Sequence, residues 1–81
     1  MNQGSILRIR GPVVDVAFSG ETPRLYEALT IARKNEPSLI LETQAAIGEG
    51  EVRTIALGST DGLVRGTPVT RTGKPITVPI G

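Results

Sequence analysis

The chain has 81 residues, nine basic and eight acidic side chains, a net charge of +1, no cysteine and no histidine. One domain of this size buries only roughly 60% of the surface its unfolded form exposes. The missing residues exclude disulfides, thiolate metal sites, cysteine nucleophiles and imidazole general bases. Charges of both signs are interspersed, so there is neither an acidic tail nor a basic nucleic-acid arm. Phe18 and Tyr26 are the only aromatics, too few for a base-stacking platform. No apolar stretch approaches the roughly 20 residues a membrane helix needs. The start, Met1-Asn2-Gln3-Gly4, lacks a basic segment followed by an apolar block. These features predict a soluble intracellular domain.

Ten glycines and six prolines are spread along the chain as punctuation between short elements, and the apolar period is mostly that of a strand. Ser5 to Arg10 gives a first run, Ile6-Leu7-Arg8-Ile9, ended by Gly11-Pro12. Val13 to Phe18 follows, with Val14, Val16 and Phe18 on one face and Asp15 and Ala17 on the other. Ser19 to Pro23 reads as a loop. Leu25 to Ala32 fits both a helical stripe and a strand alternation. With only about two turns available, an irregular start running into a strand near Leu29 to Ala32 is expected. Arg33 to Pro37 is a charged turn.

Leu39 to Ala45 is the clearest strand, with Leu39, Leu41 and Thr43 opposed to Ile40, Glu42 and Gln44. Gly48-Glu49-Gly50 is a hairpin loop, and Glu51 to Leu57 alternates Val52, Thr54 and Ala56 against Arg53, Ile55 and Leu57. Gly58 to Gly62 is a turn cluster, Leu63-Val64 a short extended piece and Gly66-Thr67-Pro68 another turn. Val69 to Thr72 is extended, Gly73-Lys74-Pro75 turns, and Ile76 to Ile80 is the last extended segment. About six short strands form a sheet too small to leave its edges open. The expected fold is all-β, a small closed six-stranded Greek-key-like barrel, with residues 1–81 as a single domain.

Four stretches imitate functional motifs. Gly48-Glu49-Gly50-Glu51-Val52-Arg53 begins like G-x-G-x-x-G but ends in Arg and lies between strands, with no helix N-terminus to hold a phosphate. Gly73-Lys74 resembles the end of a phosphate-binding loop, yet Pro75 stands where Ser or Thr would ligate Mg²⁺, and Pro68 stands where the loop needs glycine. Ser59-Thr60-Asp61 sets two hydroxyls beside a carboxylate without a base to activate them, which suits an Asx or ST turn. Glu42, Glu49 and Glu51 can gather on one hairpin, but paired carboxylates need a cleft to separate their pKa values. Arg8, Arg10, Arg53, Arg65 and Arg71 lie on or beside strands, as either a basic face for RNA or ion pairs at a protein interface. The near-neutral charge and scarce aromatics favour the interface. No catalytic, cofactor-binding or metal-ligating residue is expected.

Five segments together are specific. Arg8-Ile9-Arg10-Gly11-Pro12-Val13-Val14-Asp15-Val16-Ala17-Phe18 resembles the opening "v-x-G-P-V-V-D-V-x-F" of the β subunit of the F-type ATP synthase. Pro23 to Leu29 is similar to its "P-x-I-Y-N-A-L". Leu39 to Gln44 with Gly48 to Leu57 resembles "L-x-L-E-V-x-x-x-L-G-x-x-x-V-R-T-I-A-M". Ser59-Thr60-Asp61-Gly62-Leu63-Val64-Arg65-Gly66 resembles "S-T-D-G-L-V-R-G", which points to the β and away from the α subunit. Thr72 to Gly81 is similar to "T-G-x-P-I-x-V-P-V-G". Ala17, Glu27, Leu57 and the turn at 33–36 depart from the pattern.

The resemblance implies a six-stranded N-terminal crown barrel, alternating with α-subunit crown barrels in a hexameric ring and touching neither nucleic acid nor membrane directly. MgATP or MgADP would bind a following domain, whose phosphate-binding loop and catalytic glutamate have no counterpart here. The nucleotide-binding and C-terminal domains are absent, so a chain ending at Gly81 reads as an excised piece of a catalytic subunit. The expected setting is the cytoplasmic face of a bacterial inner membrane, within a peripheral complex that makes or hydrolyses ATP coupled to proton transport. Isolated, the barrel is expected to be non-catalytic and prone to self-association through its uncovered sides. The competing expectations are a free-standing or engineered small barrel that binds an oligonucleotide or peptide, and a minimal enzyme.

Overall fold

The computed structural model describes residues 3–76. Six strands run β1 (Gln3–Arg10), β2 (Val13–Phe18), β3 (Glu27–Ile31), β4 (Leu39–Gly48), β5 (Glu51–Ala56) and β6 (Pro68–Pro75), with no helix among the described residues. They close into a barrel in the order β1-β2-β5-β4-β3-β6, and β6 returns to β1. Every pairing is antiparallel. The meander β3-β4-β5, with β6 returning beside β3, is a Greek key. The expected fold class is therefore observed. Closure leaves no strand edge unpaired, which is what an eight- or ten-residue strand in so small a sheet requires.

The inward faces follow the period of two. Val14, Val16 and Phe18 from β2, Leu29 and Ile31 from β3, Leu39 and Leu41 from β4, and Val52 and Ala56 from β5 meet Ile6 and Val69 in one core. On β1 the simple alternation fails. Ile6 pairs with Val16 and Ile9 with Val14, while the register shifts between Ile6 and Arg8. Leu7 is thus the extra residue of a β-bulge, which lets Ile6 and Ile9 both face the core although three positions apart. Two further shifts on β4, at Gln44 and Ile47, fit its ten residues to the six of β5.

Several boundaries differ from the sequence reading. β3 begins at Glu27, two residues before the expected Leu29, because Glu27 is buried in an ion pair and not left to solvent. Gly73-Lys74-Pro75 is not a turn but the end of β6, where Glu27 pairs with Pro75. Leu63-Val64 lies in the loop between β5 and β6 and joins no strand. Of the expected last segment, Ile76 follows β6 outside any strand, and 77–80 lie outside the described residues.

One end of the barrel gathers the start of β1, the loop from β2 to β3, the tip of the β4–β5 hairpin and the end of β6. The opposite end carries the Gly11-Pro12 turn, the 32–38 connection and the loop from β5 to β6.

Candidate functional site

Two carboxylates are buried, and both are spent on arginines. Asp15 faces outward between Val14 and Val16, yet only 2% of it is exposed. The register sets Arg8 of β1 on one side of it and Arg53 of β5 on the other. Arg8 Nε donates to Oδ2 at 3.0 Å, Arg53 Nε to Oδ1 at 3.0 Å and Arg53 Nη2 to Oδ2 at 3.2 Å. The Arg53 hydrogen bond, reinforced by Arg8, holds the Asp15 carboxyl below its usual pKa against the opposing effect of burial. Arg53 is correspondingly raised. Glu51 lies 3.9 Å from Arg8 Nη2 at the edge of this row.

Glu27, 3% exposed, shares the inward-facing parity of Leu29 and Ile31, and Arg71 that of Val69. They meet at the barrel mouth beside the β2–β3 loop. Arg71 Nε and Nη2 each donate to the Glu27 carboxylate at 2.7 Å. This two-pronged geometry is the strong form of the pair. The backbone amides of Arg24 and Gly73 add bonds of 3.2 Å each. Arg71 first, then the two amides, hold Glu27 below its usual pKa although burial pushes the other way.

The motif-like stretches all resolve into structural work. Glu49-Gly50 is the tip of the β4–β5 hairpin. Gly50 has φ 73°, and its carbonyl accepts the Phe18 amide at 2.6 Å. Gly73 uses its amide on Glu27 rather than on a phosphate cradle. Ser59 Oγ accepts the Asp61 amide at 3.1 Å, and Thr60 Oγ1 donates to the Gly11 carbonyl at 3.1 Å. Arg33 donates to the Ser59 carbonyl. The Thr60 hydroxyl therefore pins the β5–β6 loop onto the β1–β2 turn, while Ser59 shapes the loop internally. Glu42 pairs across the sheet with Ile55 and accepts from Gln44, while Glu51 pairs with Gly48 at the other end of the hairpin. Among the described residues no group of three acidic side chains is placed to hold a metal ion.

The five arginines do not build one basic face. Arg8 and Arg53 converge on Asp15, Arg71 is committed to Glu27, and Arg10 and Arg65 are exposed elsewhere. An open groove of about 740 Å³ is lined by Phe18, Ser19, Gly20, Glu21, Thr22, Glu49 and Gly50. Its ionisable groups are two carboxylates, the wrong charge for a nucleotide phosphate. The Asp15 and Glu27 clusters were not legible as sites. Their signal was a carboxylate inside an apolar strand, with an arginine at a matching position of another strand.

Residues 6–73 match the family model described as ATP synthase alpha/beta family, beta-barrel domain. The chain belongs to that family. The match runs from Ile6 in β1 to Gly73 in β6, and the closed six-stranded barrel is the domain that it names. In the ATP synthase alpha/beta family this barrel is a non-catalytic module of an oligomeric, peripheral assembly. No helix among the described residues is long and apolar enough to cross a membrane.

Proposed function

We propose that the chain is the N-terminal barrel of the catalytic β subunit of an F-type ATP synthase, a structural module that stabilises an alternating ring of α and β subunits. The observation that carries this reading is the run Ser59 to Gly66, which resembles the β subunit's S-T-D-G-L-V-R-G. Its polar groups serve closure of the barrel: Thr60 bonds Gly11, and the Gly66 amide donates to the Ile6 carbonyl at 2.8 Å. In this reading the chain itself holds no catalytic residue, cofactor or metal, and ATP chemistry coupled to proton transport belongs to a separate nucleotide-binding domain. Its partners are α-subunit barrels, and the assembly is peripheral to the cytoplasmic face of the membrane. The polar, acid-lined groove and the arginines committed to carboxylates support a role in assembly over ligand binding.

Native mass spectrometry of the chain mixed with separately prepared α-type and β-type barrels tests the assignment. Hetero-association with the α-type barrel is expected; association with the β-type barrel alone would overturn it. Titration calorimetry with MgATP is expected to give no heat of binding. A micromolar affinity would remove the non-catalytic reading.

A further inference from the structure

The Glu27 carboxylate serves three parts of the chain at once. Oε1 accepts from Arg71 Nη2 at 2.7 Å and from the Arg24 amide at 3.2 Å; Oε2 accepts from Arg71 Nε at 2.7 Å and from the Gly73 amide at 3.2 Å. Arg71 Nη1 reaches on to the Glu21 carbonyl at 3.4 Å. The loop from β2, the start of β3 and the end of β6 are thus joined at one buried point. Arg71 is 44 residues from Glu27 along the chain.

The Arg24–Tyr26 flank of this point has unfavourable, loosely held backbone. Tyr26 is a bulky residue with φ 67°, in the left-handed region that side chains rarely adopt. Leu25 and Tyr26 are 59% and 54% exposed, so core packing does not fix their turn. Beyond the Tyr26 amide bond to the Thr43 carbonyl at 2.8 Å and the Glu27 amide bond to the Arg24 carbonyl at 3.0 Å, the turn relies on the carboxylate. On the other flank Gly73 has φ 78°, Lys74 and Pro75 are exposed, and the Thr72 hydroxyl donates to the Ala28 carbonyl at 2.7 Å and accepts from the Lys74 amide at 3.3 Å, while the Gly73 amide itself goes to Glu27. The same oxygens hold both.

We propose that Glu27 is a coupling staple: its single carboxylate ties the exposed Leu25–Tyr26 turn to the C-terminal end of β6, so that the two segments order and loosen together. Whatever engages the turn then stiffens the strand by which the chain leaves the barrel, and the reverse follows by linkage. This inference does not depend on which subunit the chain comes from.

Residue-resolved amide exchange at neutral pH tests it on the whole chain. In Glu27→Gln, the amides of Arg24, Tyr26 and Gly73 are expected to exchange about tenfold faster or more, together, and by a clearly larger factor than those of Val16 and Val52, which follow only the change in global stability. Faster exchange on one flank alone, an equal rise across the barrel, or no change overturns the proposal. Should Glu27→Gln fail to fold, Arg71→Lys keeps the charge but loses the two-pronged geometry. It is expected to loosen the same two flanks to a lesser degree, and the same three outcomes overturn the proposal. Asp15→Asn, which breaks the other buried pair, must accelerate Arg24 and Gly73 no more than Val16 and Val52; a selective acceleration of the two flanks counts against the proposal.

Discussion

An outward-facing aspartate that solvent barely reaches is held by its neighbours on both adjoining strands. Removing its charge leaves Arg8 and Arg53 without their shared partner. Because both arginines retain contact with water, Asp15→Asn is expected to cost about 1–3 kcal/mol, measured by urea unfolding at neutral pH. Asp15 and Glu27 both have folded pKa values below their unfolded ones. Their contribution is therefore complete above the unfolded values and disappears as pH falls through the folded ones. Stability should be flat near neutrality and decline below about pH 5. Urea midpoints from pH 7 to pH 3 check this, and Glu27→Gln should flatten the decline. A second contrast lies inside the barrel. Thr43 and Thr54 are cross-strand partners, both buried. Thr54 Oγ1 donates to the Val14 carbonyl at 2.8 Å, whereas Thr43 Oγ1 has no partner. Thr43→Val is expected to be neutral or stabilising by up to about 1 kcal/mol, and Thr54→Val to destabilise by about 1 kcal/mol.

At the level of strands and turns, the hairpin tip makes the sharpest prediction. A Cβ on Gly50 would sit 2.6 Å from the Phe18 carbonyl oxygen, on a backbone already at positive φ. Gly50→Ala should cost about 2 kcal/mol or more, and Gly62→Ala, at positive φ but facing open space, about 1 kcal/mol. Thermal or urea unfolding of the two variants decides it. These elements were legible to different degrees. β2, β4 and β5 carry clean alternation, so their faces could be read directly. β1 could not, because the bulge at Leu7 breaks the period and only pairing with β2 reveals it. β3 and β6 cannot be read from sequence where they meet. Glu27 lies ahead of the expected strand at Leu29 to Ala32 and Gly73-Lys74-Pro75 reads as a turn, since each makes sense as strand only through the other. A long-range ion pair leaves no local mark in the sequence. The candidate site was legible in the same measure: the imitated motifs could be dismissed one by one, while the buried pairs needed the register.

For the molecule as a whole, closure depends on contacts between residues far apart in sequence. β1 joins β6 through Gln3–Thr70, and β3 joins β6 through Thr30–Thr70. Such topology folds slowly, in milliseconds to seconds, and stopped-flow refolding should give rates in that range with no amplitude missing in the dead time. Leu25, Tyr26, Ile40, Leu57 and Val64 are large apolar residues left exposed. A concentration series by analytical ultracentrifugation is expected to show weak self-association, reduced by Leu57→Lys. The pairing of first strand with last also has a meaning during synthesis. A nascent chain emerging from the ribosome presents β1 long before β6 exists, and until Pro68 to Thr70 arrive the opening strand has a partner on one side only. The barrel is thus finished after translation of this segment and not during it, and its earliest residues must wait, half-paired, for nearly its latest.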